Sequence, residues 1–195
     1  MKLKHNKIIK NYVNQLNVVL NDKLLNKELT ESANLISKCI RKKGCVYVAG
    51  NGGSAAISNH LLCDFSKGIQ EKTSYSPMVV SLSNSVELIT AISNDSDFSN
   101  IFVNQVVNRL NPIDVCVLIS SSGNSKNIVK LASYLIKKKV DFVSIIGFDG
   151  GAKPVKAANF SMHIVSNDYG VIEDASQAIM HILAKLIIEE LNEEV

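Results

Sequence analysis

The sequence lacks several features that would point to particular classes of protein. It contains no run of about 18 apolar residues and no recognisable signal peptide, so it indicates neither membrane spanning nor secretion. Its four cysteines show no CxxC spacing, and three lie in apolar runs, which predicts buried, reduced thiols and a cytoplasmic protein. A net charge of only +3, dispersed along the chain, argues against a nucleic-acid partner. The remaining composition, 46% hydrophobic over 195 residues, predicts one globular domain.

Short apolar runs alternate with helical patterns along most of the chain. The strands are predicted at residues 46–49, 78–82, 115–119, 142–146 and 162–165. Helices are predicted after the first strand and at about residues 86–92, 98–110, 128–139 and 172–191. This alternation predicts an α/β fold, a three-layer sandwich around a mostly parallel five-stranded sheet.

Two further helices are predicted before the first strand, at about residues 5–25 and 30–40. The second is expected to begin near Thr30 and to end at the basic run Arg41-Lys42-Lys43, where cations complement the helix dipole. A sheet does not need these helices, so we expect their apolar stripes to pack on the domain or on another subunit. The predicted organisation is a single domain over 1–195, with helices in 1–44 and the α/β core in 45–195.

A glycine-rich turn, Gly50-Asn51-Gly52-Gly53-Ser54, joins the first predicted strand to an Ala-rich helix. Unpaired backbone N–H groups and the dipole at a helix N-terminus favour an anion there, and glycines allow a close approach. The spacing fits neither GxGxxG nor GxxxxGK[ST], so dinucleotide and P-loop sites are poor interpretations. The alternative without a ligand is a tight strand-to-helix turn.

A serine-rich segment, SSSGNS at residues 120–125, follows the third predicted strand. Open α/β sheets bind ligands at the carboxyl ends of their strands. Hydroxyls and free N–H groups donate to phosphate oxygens without any lysine or arginine. The segment therefore predicts a phosphate site, with a plain N-cap turn as the alternative.

Two predicted helices each carry a histidine and a carboxylate at helical spacing. His60 and Asp64 are four residues apart, and Glu173, Gln177 and His181 form an i, i+4, i+8 stripe on the last helix. If these helices converge, their donors can hold a divalent metal such as zinc. Alternatively, a carboxylate moves a carbon-bound proton while a histidine serves a carbonyl oxygen. Each histidine alone is more often structural, which is the interpretation for His5 and His163.

Together these motifs resemble a known family. The segments GNGGS with its HxxxD helix, SNDSDF, SSSGNS, GFDGG and YGVIEDASQAIMHI are similar to a sugar isomerase (SIS) domain, and more narrowly to the phosphoheptose isomerases. The resemblance covers nearly the whole chain. It implies a ketose–aldose isomerase that converts sedoheptulose 7-phosphate to D-glycero-D-manno-heptose 7-phosphate through an enediolate. The product would supply nucleotide-activated heptose for lipopolysaccharide or capsule.

The resemblance also implies a cytoplasmic homotetramer with active sites at subunit interfaces, and it assigns roles to residues. The catalytic pair is Asp64, which moves the proton between C2 and C1, and His181, which acts on the sugar oxygens. The implied zinc ligands are His60, Asp64, Glu173 and His181. The implied substrate contacts are Asn51, Gly52, Gly53, Asn94, Asp95 and Glu173, with Ser120, Ser121, Ser122 and Ser125 holding the phosphate. Asp64 stands where the family has glutamate, and Glu173 where it has glutamine.

Three alternatives remain open from the sequence. The first is an isomerase of another sugar phosphate. The second is a non-catalytic SIS scaffold that binds a replication-initiation protein, which the presence of His60, Asp64 and His181 argues against. The third is a sugar-phosphate-binding regulator, which the lack of a visible DNA-binding segment argues against.

Overall fold

Five parallel strands, in the order β2-β1-β3-β4-β5, form the central sheet in the computed structural model, which describes residues 2–193. The strands are β1 (Cys45–Gly50), β2 (Met78–Ser81), β3 (Val115–Ser120), β4 (Asp141–Ile146) and β5 (Phe160–His163). All lie within two residues of their predicted bounds. Strands β1 and β3 are buried along their whole length, as expected of strands covered on both faces. Residues 1, 194 and 195 of the predicted domain lie outside the described residues.

Helices cover both faces of the sheet and make the predicted three layers. They are α1 (Lys2–Leu20), α2 (Lys23–Arg41), α3 (Gly53–Cys63), α4 (Val86–Asp95), α5 (Val103–Val106), α6 (Lys126–Lys138), α7 (Lys153–Lys156) and α8 (Tyr169–Asn192). Val46 and Val48 of β1 pack into a core with α2, α3 and α8, whereas Tyr47 and Ala49 face a second core with α5 and α6. This alternation along one strand follows from its two-residue period. The α/β sandwich, preceded by two helices, is confirmed.

The boundary between the first two helices was predicted wrongly. Helix α1 ends at Leu20 and α2 begins at Lys23, seven residues before the predicted start at Thr30. The reason is an N-cap: the Asp22 side chain accepts a hydrogen bond from the Leu25 amide at 2.8 Å. Thr30 lies inside α2, where its hydroxyl donates to the carbonyl of Asn26.

The chain between β2 and β3 also departs from the prediction. Helix α4 continues through residues 93–95, three residues beyond its predicted end at about residue 92. The single helix predicted over residues 98–110 is instead a 3₁₀ turn (Phe98–Asn100) followed by the short α5. Asp97 caps the 3₁₀ turn by accepting from the Ser99 amide at 2.7 Å, and the left-handed backbone of Asn108 follows the end of α5. The short α7 had not been predicted.

Three of the four cysteines are buried as the sequence predicted, and for Cys63 the prediction was wrong. Cys39, Cys45 and Cys116 are buried and free, whereas Cys63 is exposed. Burial raises the pKa of Cys39 to about 12 and that of Cys45 to about 11, and it also raises the pKa of Cys116 above its ordinary value.

No helix within residues 2–193 combines the length and apolar character needed to cross a bilayer.

We expect one of the four thiols, Cys63, to react rapidly with Ellman's reagent in the native protein at pH 8. The thiolate is the reactive form, so burial and a raised pKa protect the other three thiols until the chain unfolds. Iodoacetamide labelling followed by mass spectrometry identifies the modified residue.

The control is Cys63→Ser, which is expected to show no rapid reaction when native. In denaturant, wild type should titrate four thiols and the variant three. Rapid labelling of Cys39, Cys45 or Cys116 in the native protein would contradict the packing described above.

Candidate active site

Two loops meet at the centre of the sheet's carboxyl edge. The glycine loop (residues 50–54) follows β1, and the serine loop (residues 120–125) follows β3. Strands β1 and β3 are neighbours, and the chain reaches β2 on one side of β1 and β3 on the other. Such a switch point leaves a crevice between the two loops. Helices α3 and α6 begin there, so two helix N-termini present unpaired N–H groups to the crevice.

The two loops enclose a cavity of about 250 Å³, which we call the serine pocket. It is lined by Asn51, Gly52, Gly53, Ser54, Ser120, Ser121, Ser122, Ser125, Tyr169 and Glu173. The structure thus brings together all predicted substrate contacts except Asn94 and Asp95. Tyr169 and Ser54 complete the lining without having been predicted. An exposed aromatic residue at a helix start carries no sequence signal for such a role.

The hydroxyls of the serine pocket are available to a ligand. Ser125 is the N-cap residue of α6, but its side chain makes no capping hydrogen bond, so the N-cap interpretation does not account for it. Ser120 Oγ accepts from the Gly123 amide at 3.1 Å, and Ser122 Oγ accepts from the Asn124 amide at 3.2 Å. Each keeps its own O–H to donate. Among the described residues no lysine or arginine lines the pocket, so an anion there would be held by hydroxyls and backbone dipoles.

A third loop (residues 147–152), which follows β4, fixes the shape of the serine loop. The Gly147 amide donates to the Ser121 carbonyl at 2.9 Å, and the Ala152 amide donates to the Gly123 carbonyl at 3.0 Å. A Cβ on Gly123 would lie 2.6 Å from the Cα of Gly151, and both glycines have positive φ. Only glycine tolerates this combination of contact and conformation at either position.

The glycine loop is held by a pair of amides. Asn51 and Asn127 exchange two side-chain hydrogen bonds of 2.9 Å, and Asn127 lies buried in the first turn of α6. Asn94 and Asp95 lie elsewhere, at the exposed end of α4, where the Asn94 amide donates to the Asp95 carboxylate. Their contact with substrate stays a prediction.

Helices α3 and α8 lie side by side and run in the same direction. The carboxylate of Glu173 lies against Gly53, Gln177 contacts His60, and His181 contacts Asp64. The convergence that the sequence left open is therefore present. Eight residues of α8 separate the first of these contacts from the last, a rise of roughly 12 Å along the helix. A polar stripe thus runs from the serine pocket to the two histidines.

A compact cluster of His60, Asp64, Gln177 and His181 forms the far end of this stripe. His181 Nδ1 lies 2.8 Å from Asp64 Oδ2, His60 Nε2 lies 3.5 Å from Asp64 Oδ1, and the two imidazole rings meet edge to face at 4.9 Å. Gln177 Nε2 lies 3.1 Å from both His60 Nδ1 and His181 Nε2. Since a carboxylate accepts and an amide nitrogen donates, this pattern assigns protons to His181 Nδ1 and His60 Nε2.

The backbone changes character at Asp64. Helix α3 gives way there to a π-helical turn (Asp64–Ile69), a rare conformation that is frequent at functional sites. Phe65 and Ile69 of this turn are fully buried, so packing holds it in place. The turn anchors the Asp64 carboxylate beneath His181.

Three of the four predicted metal ligands come together. One donor atom from each of His60, Asp64 and His181 lies within 4.8 Å of the others. Glu173, the fourth predicted ligand, lies two helical turns from His181. Its carboxylate lies against Gly53, with Oε1 2.5 Å from the position that a Cβ on Gly53 would take. Gln177 occupies the space between the two histidines instead. The helical stripe contained Gln177, but spacing alone did not distinguish its place from that of Glu173.

Known proteins resemble this chain in sequence and in structure. The family model described as SIS domain matches residues 11–147. The phosphoheptose isomerase of Rhodospirillum rubrum is 30% identical over 164 residues, which cover 84% of this chain and 86% of that protein. The structure of a phosphoheptose isomerase from Francisella tularensis superposes with a TM-score of 0.87 at 25% identity, covering 97% and 99% of the two chains. The sugar isomerase domain of an RpiR transcription factor from Sphaerobacter thermophilus shares the fold, with a TM-score of 0.63 at 16% identity over 96% and 90% of the chains.

We expect Gly151→Ala to weaken phosphate binding by about tenfold or more. The new Cβ would lie 2.5 Å from Gly123 Cα and would also disfavour the positive φ, so the serine loop must shift. Isothermal titration with inorganic phosphate measures the effect.

Gly68→Ala is the matched control, since an added Cβ there meets nothing within 4 Å and φ is not positive. It should bind phosphate like wild type. Equal affinity in Gly151→Ala and wild type would show that loop 147–152 does not shape the pocket.

Proposed function

We propose that this chain interconverts sedoheptulose 7-phosphate and D-glycero-D-manno-heptose 7-phosphate. The chain belongs to the SIS domain family and, within it, to the phosphoheptose isomerases, and the proposal follows from that membership. The observation that carries the proposal is the joining of two different sites by α3 and α8. One is a pocket of hydroxyls and helix N-termini, and the other is a bonded carboxylate–imidazole pair. A sugar phosphate needs both, one for each end of the molecule.

The serine pocket binds the phosphate. Ser120, Ser121, Ser122 and Ser125 donate hydroxyls to the phosphate oxygens, and the N-termini of α3 and α6 supply dipoles of the right sign. The polar stripe of roughly 12 Å then leads to Asp64 and His181, a distance that an extended seven-carbon sugar phosphate can span. Because the phosphate does not react, its binding energy serves to orient the carbonyl end.

Asp64 and His181 carry out the proton transfers. In the ketose-to-aldose direction the Asp64 carboxylate removes the proton from C1 and returns it to C2 of the enediolate, and the reverse reaction takes the same path. His181 moves the accompanying proton between the oxygens on C1 and C2. The bond of 2.8 Å between the two side chains keeps them adjacent, and it sets the tautomer of His181. Asn51, Gly52, Gly53, Asn94, Asp95 and Glu173 complete the proposed substrate contacts.

The donor set near Asp64 fits a divalent cation such as zinc. Two imidazole nitrogens and one carboxylate oxygen within 4.8 Å are the ligand types and number of a catalytic zinc site. His60, Asp64 and His181 would hold the ion, whereas the carboxylate of Glu173 lies against Gly53 at the other end of the polar stripe. When bound, the ion would polarise the sugar carbonyl.

The whole chain is proposed to act as one SIS domain in a cytoplasmic homotetramer that supplies heptose for surface polysaccharide. Apolar side chains left exposed on α1 and α4 support an assembly with active sites between subunits. They are Ile8, Ile9, Val13, Val86 and Leu88.

The bonded Asp64–His181 pair favours an enzyme over a non-catalytic scaffold. An isomerase of a different sugar phosphate would keep the same two sites.

We expect the protein in D₂O to convert sedoheptulose 7-phosphate to the aldose and to place deuterium at C2, because the transferred proton exchanges with solvent on the carboxylate. Asp64→Asn should lower kcat by about 10²–10⁴-fold, since an amide keeps the shape of the side chain but is no base. NMR follows both turnover and deuterium content.

Asp64→Glu is the matched control for Asp64→Asn, because it keeps a carboxylate at this position, with the side-chain length found in the family. His181→Gln should also lose turnover. Full activity of Asp64→Asn would exclude Asp64 as the base.

We expect the protein to bind about one zinc ion per chain, and the double variant His60→Ala/His181→Ala to bind none. Removing two of three ligands leaves a single carboxylate, which holds zinc poorly. Zinc content after dialysis, measured by mass spectrometry, is independent of activity.

His5→Ala is the control for the loss of an imidazole outside the cluster, since His5 is exposed near the start of α1. Its zinc content should equal that of wild type. Unchanged zinc in the double variant would place the metal elsewhere.

A further inference from the structure

Tyr169 forms one wall of the serine pocket although neither sequence motif nor family resemblance singled it out. It is the first residue of α8, and its side chain is 61% exposed beside the serine hydroxyls. An exposed side chain of this size needs a support if it is to keep one place. The support is the ring of Phe148, which meets the ring of Tyr169 edge to face, with 4.6 Å between centroids and 68° between planes.

Phe148 has an unusual backbone. Its φ is +45°, in the left-handed region that bulky side chains avoid. Lys43 and Lys139 also have positive φ, but they lie within two residues of the ends of helices, where that conformation is common. Phe148 lies in loop 147–152, away from any helix end. Such an outlier persists only where the surroundings hold it in place.

One restraint is the turn around Phe148, in which the Gly150 amide donates to the Gly147 carbonyl at 2.9 Å, and His163 supplies a second. Its Nε2 lies 2.8 Å from the carbonyl oxygen of Phe148, and because a carbonyl only accepts, Nε2 carries the proton. His163 is the last residue of β5 and pairs in register with Ile146, the last residue of β4. The imidazole is therefore anchored to the sheet. The sequence had indicated only a structural role for His163.

We propose that His163 is a positioning residue for the serine pocket: it holds the left-handed Phe148, whose ring holds Tyr169 against the pocket. We call His163, Phe148 and Tyr169 the brace. The proposal rests on the proposed function, in that the serine pocket is the phosphate site. Loop 147–152 extends the effect, since Phe148 follows Gly147, whose amide donates to the Ser121 carbonyl.

The brace acts on binding and not on proton transfer. It touches the phosphate end of the site, whereas Asp64 and His181 lie at the other end of the polar stripe. An interaction that is equally strong in the ground state and the transition state changes KM and leaves kcat unchanged. Loss of the brace should therefore separate the two constants.

The test compares His163→Leu with His163→Gln. Leucine has no donor, whereas the glutamine amide places its nitrogen near the position of Nε2 and restores the bond to Phe148. We expect His163→Leu to weaken inorganic phosphate binding and to raise KM by about tenfold with kcat within twofold of wild type. His163→Gln should stay within about threefold of wild type in all three quantities.

Lys156→Met is the matched control, because Lys156, the last residue of α7, bonds to the same loop. Lys156 Nζ donates to the Asp149 carbonyl at 2.8 Å, one residue beyond Phe148, and so its loss removes a comparable bond outside the brace. Its phosphate affinity should equal that of wild type. Equal losses of phosphate affinity in Lys156→Met and His163→Leu would overturn the proposal, because any bond to the loop would then have the same effect.

A second variant avoids dependence on the folding of His163→Leu. Tyr169→Ala changes an exposed residue and should weaken phosphate binding as much as His163→Leu does. The double variant should lose no more than either single variant, because both remove the same support. Unchanged affinity in Tyr169→Ala, or additive losses in the double variant, would overturn the brace.

Phosphate binding and turnover separate this proposal from the proposed function. One outcome is that wild type binds phosphate but does not isomerise sedoheptulose 7-phosphate, while His163→Leu loses phosphate affinity. That outcome supports the brace and overturns the proposed substrate. Turnover with equal phosphate affinity in wild type, His163→Leu and Tyr169→Ala keeps the isomerase and overturns the brace. Wild type that binds neither phosphate nor the sugar phosphate overturns both.

Discussion

The packing of α3 against α8 is the contact on which the rest of the site depends. Ile57, Leu61 and Phe65 on the α3 side, and Ile172, Ile179 and Leu183 on α8, are almost fully buried in one core beneath the sheet. Burying apolar side chains of this size contributes about 1.5–3 kcal/mol each, so the two helices have one strongly preferred alignment. That alignment places the Gly53, His60 and Asp64 positions opposite Glu173, Gln177 and His181.

The functional and the apolar residues share these helices at neighbouring positions. On α8, Gln177 lies next to buried Ser176, and His181 lies next to buried Met180. Each helical position turns the side chain by about 100°, so a shift of one residue in either helix would bury the polar stripe. The apolar core and the site are therefore specified together.

The charges of the site have an uneven distribution. The serine pocket holds serine hydroxyls, backbone amides and the carboxylate of Glu173, which lies at the N-terminus of α3 where the helix dipole favours a negative charge. A phosphate in this pocket would be bound by many weak donors and no formal cation among the lining residues. The imidazole rings lie at the other end, where the proposed isomerisation would develop negative charge on the sugar oxygens. The two ends thus stabilise charge by different means.

Local sequence patterns were enough to predict the strands within two residues, the glycine and serine loops, and the pairing of His60 with Asp64 on one helix face. These features depend on periodicity and on turn chemistry between near neighbours, which a sequence displays directly. Helix ends were harder to predict, since the starts of α2 and of the 3₁₀ turn each depend on a single side-chain bond, from Asp22 and Asp97. The tertiary structure alone decided that α3 and α8 converge, that Gln177 and not Glu173 lies between the histidines, and that His163 restrains Phe148 beside Tyr169. Those outcomes join residues that are 15 to 117 positions apart, and only the packing of the sheet and its helices brings such residues together.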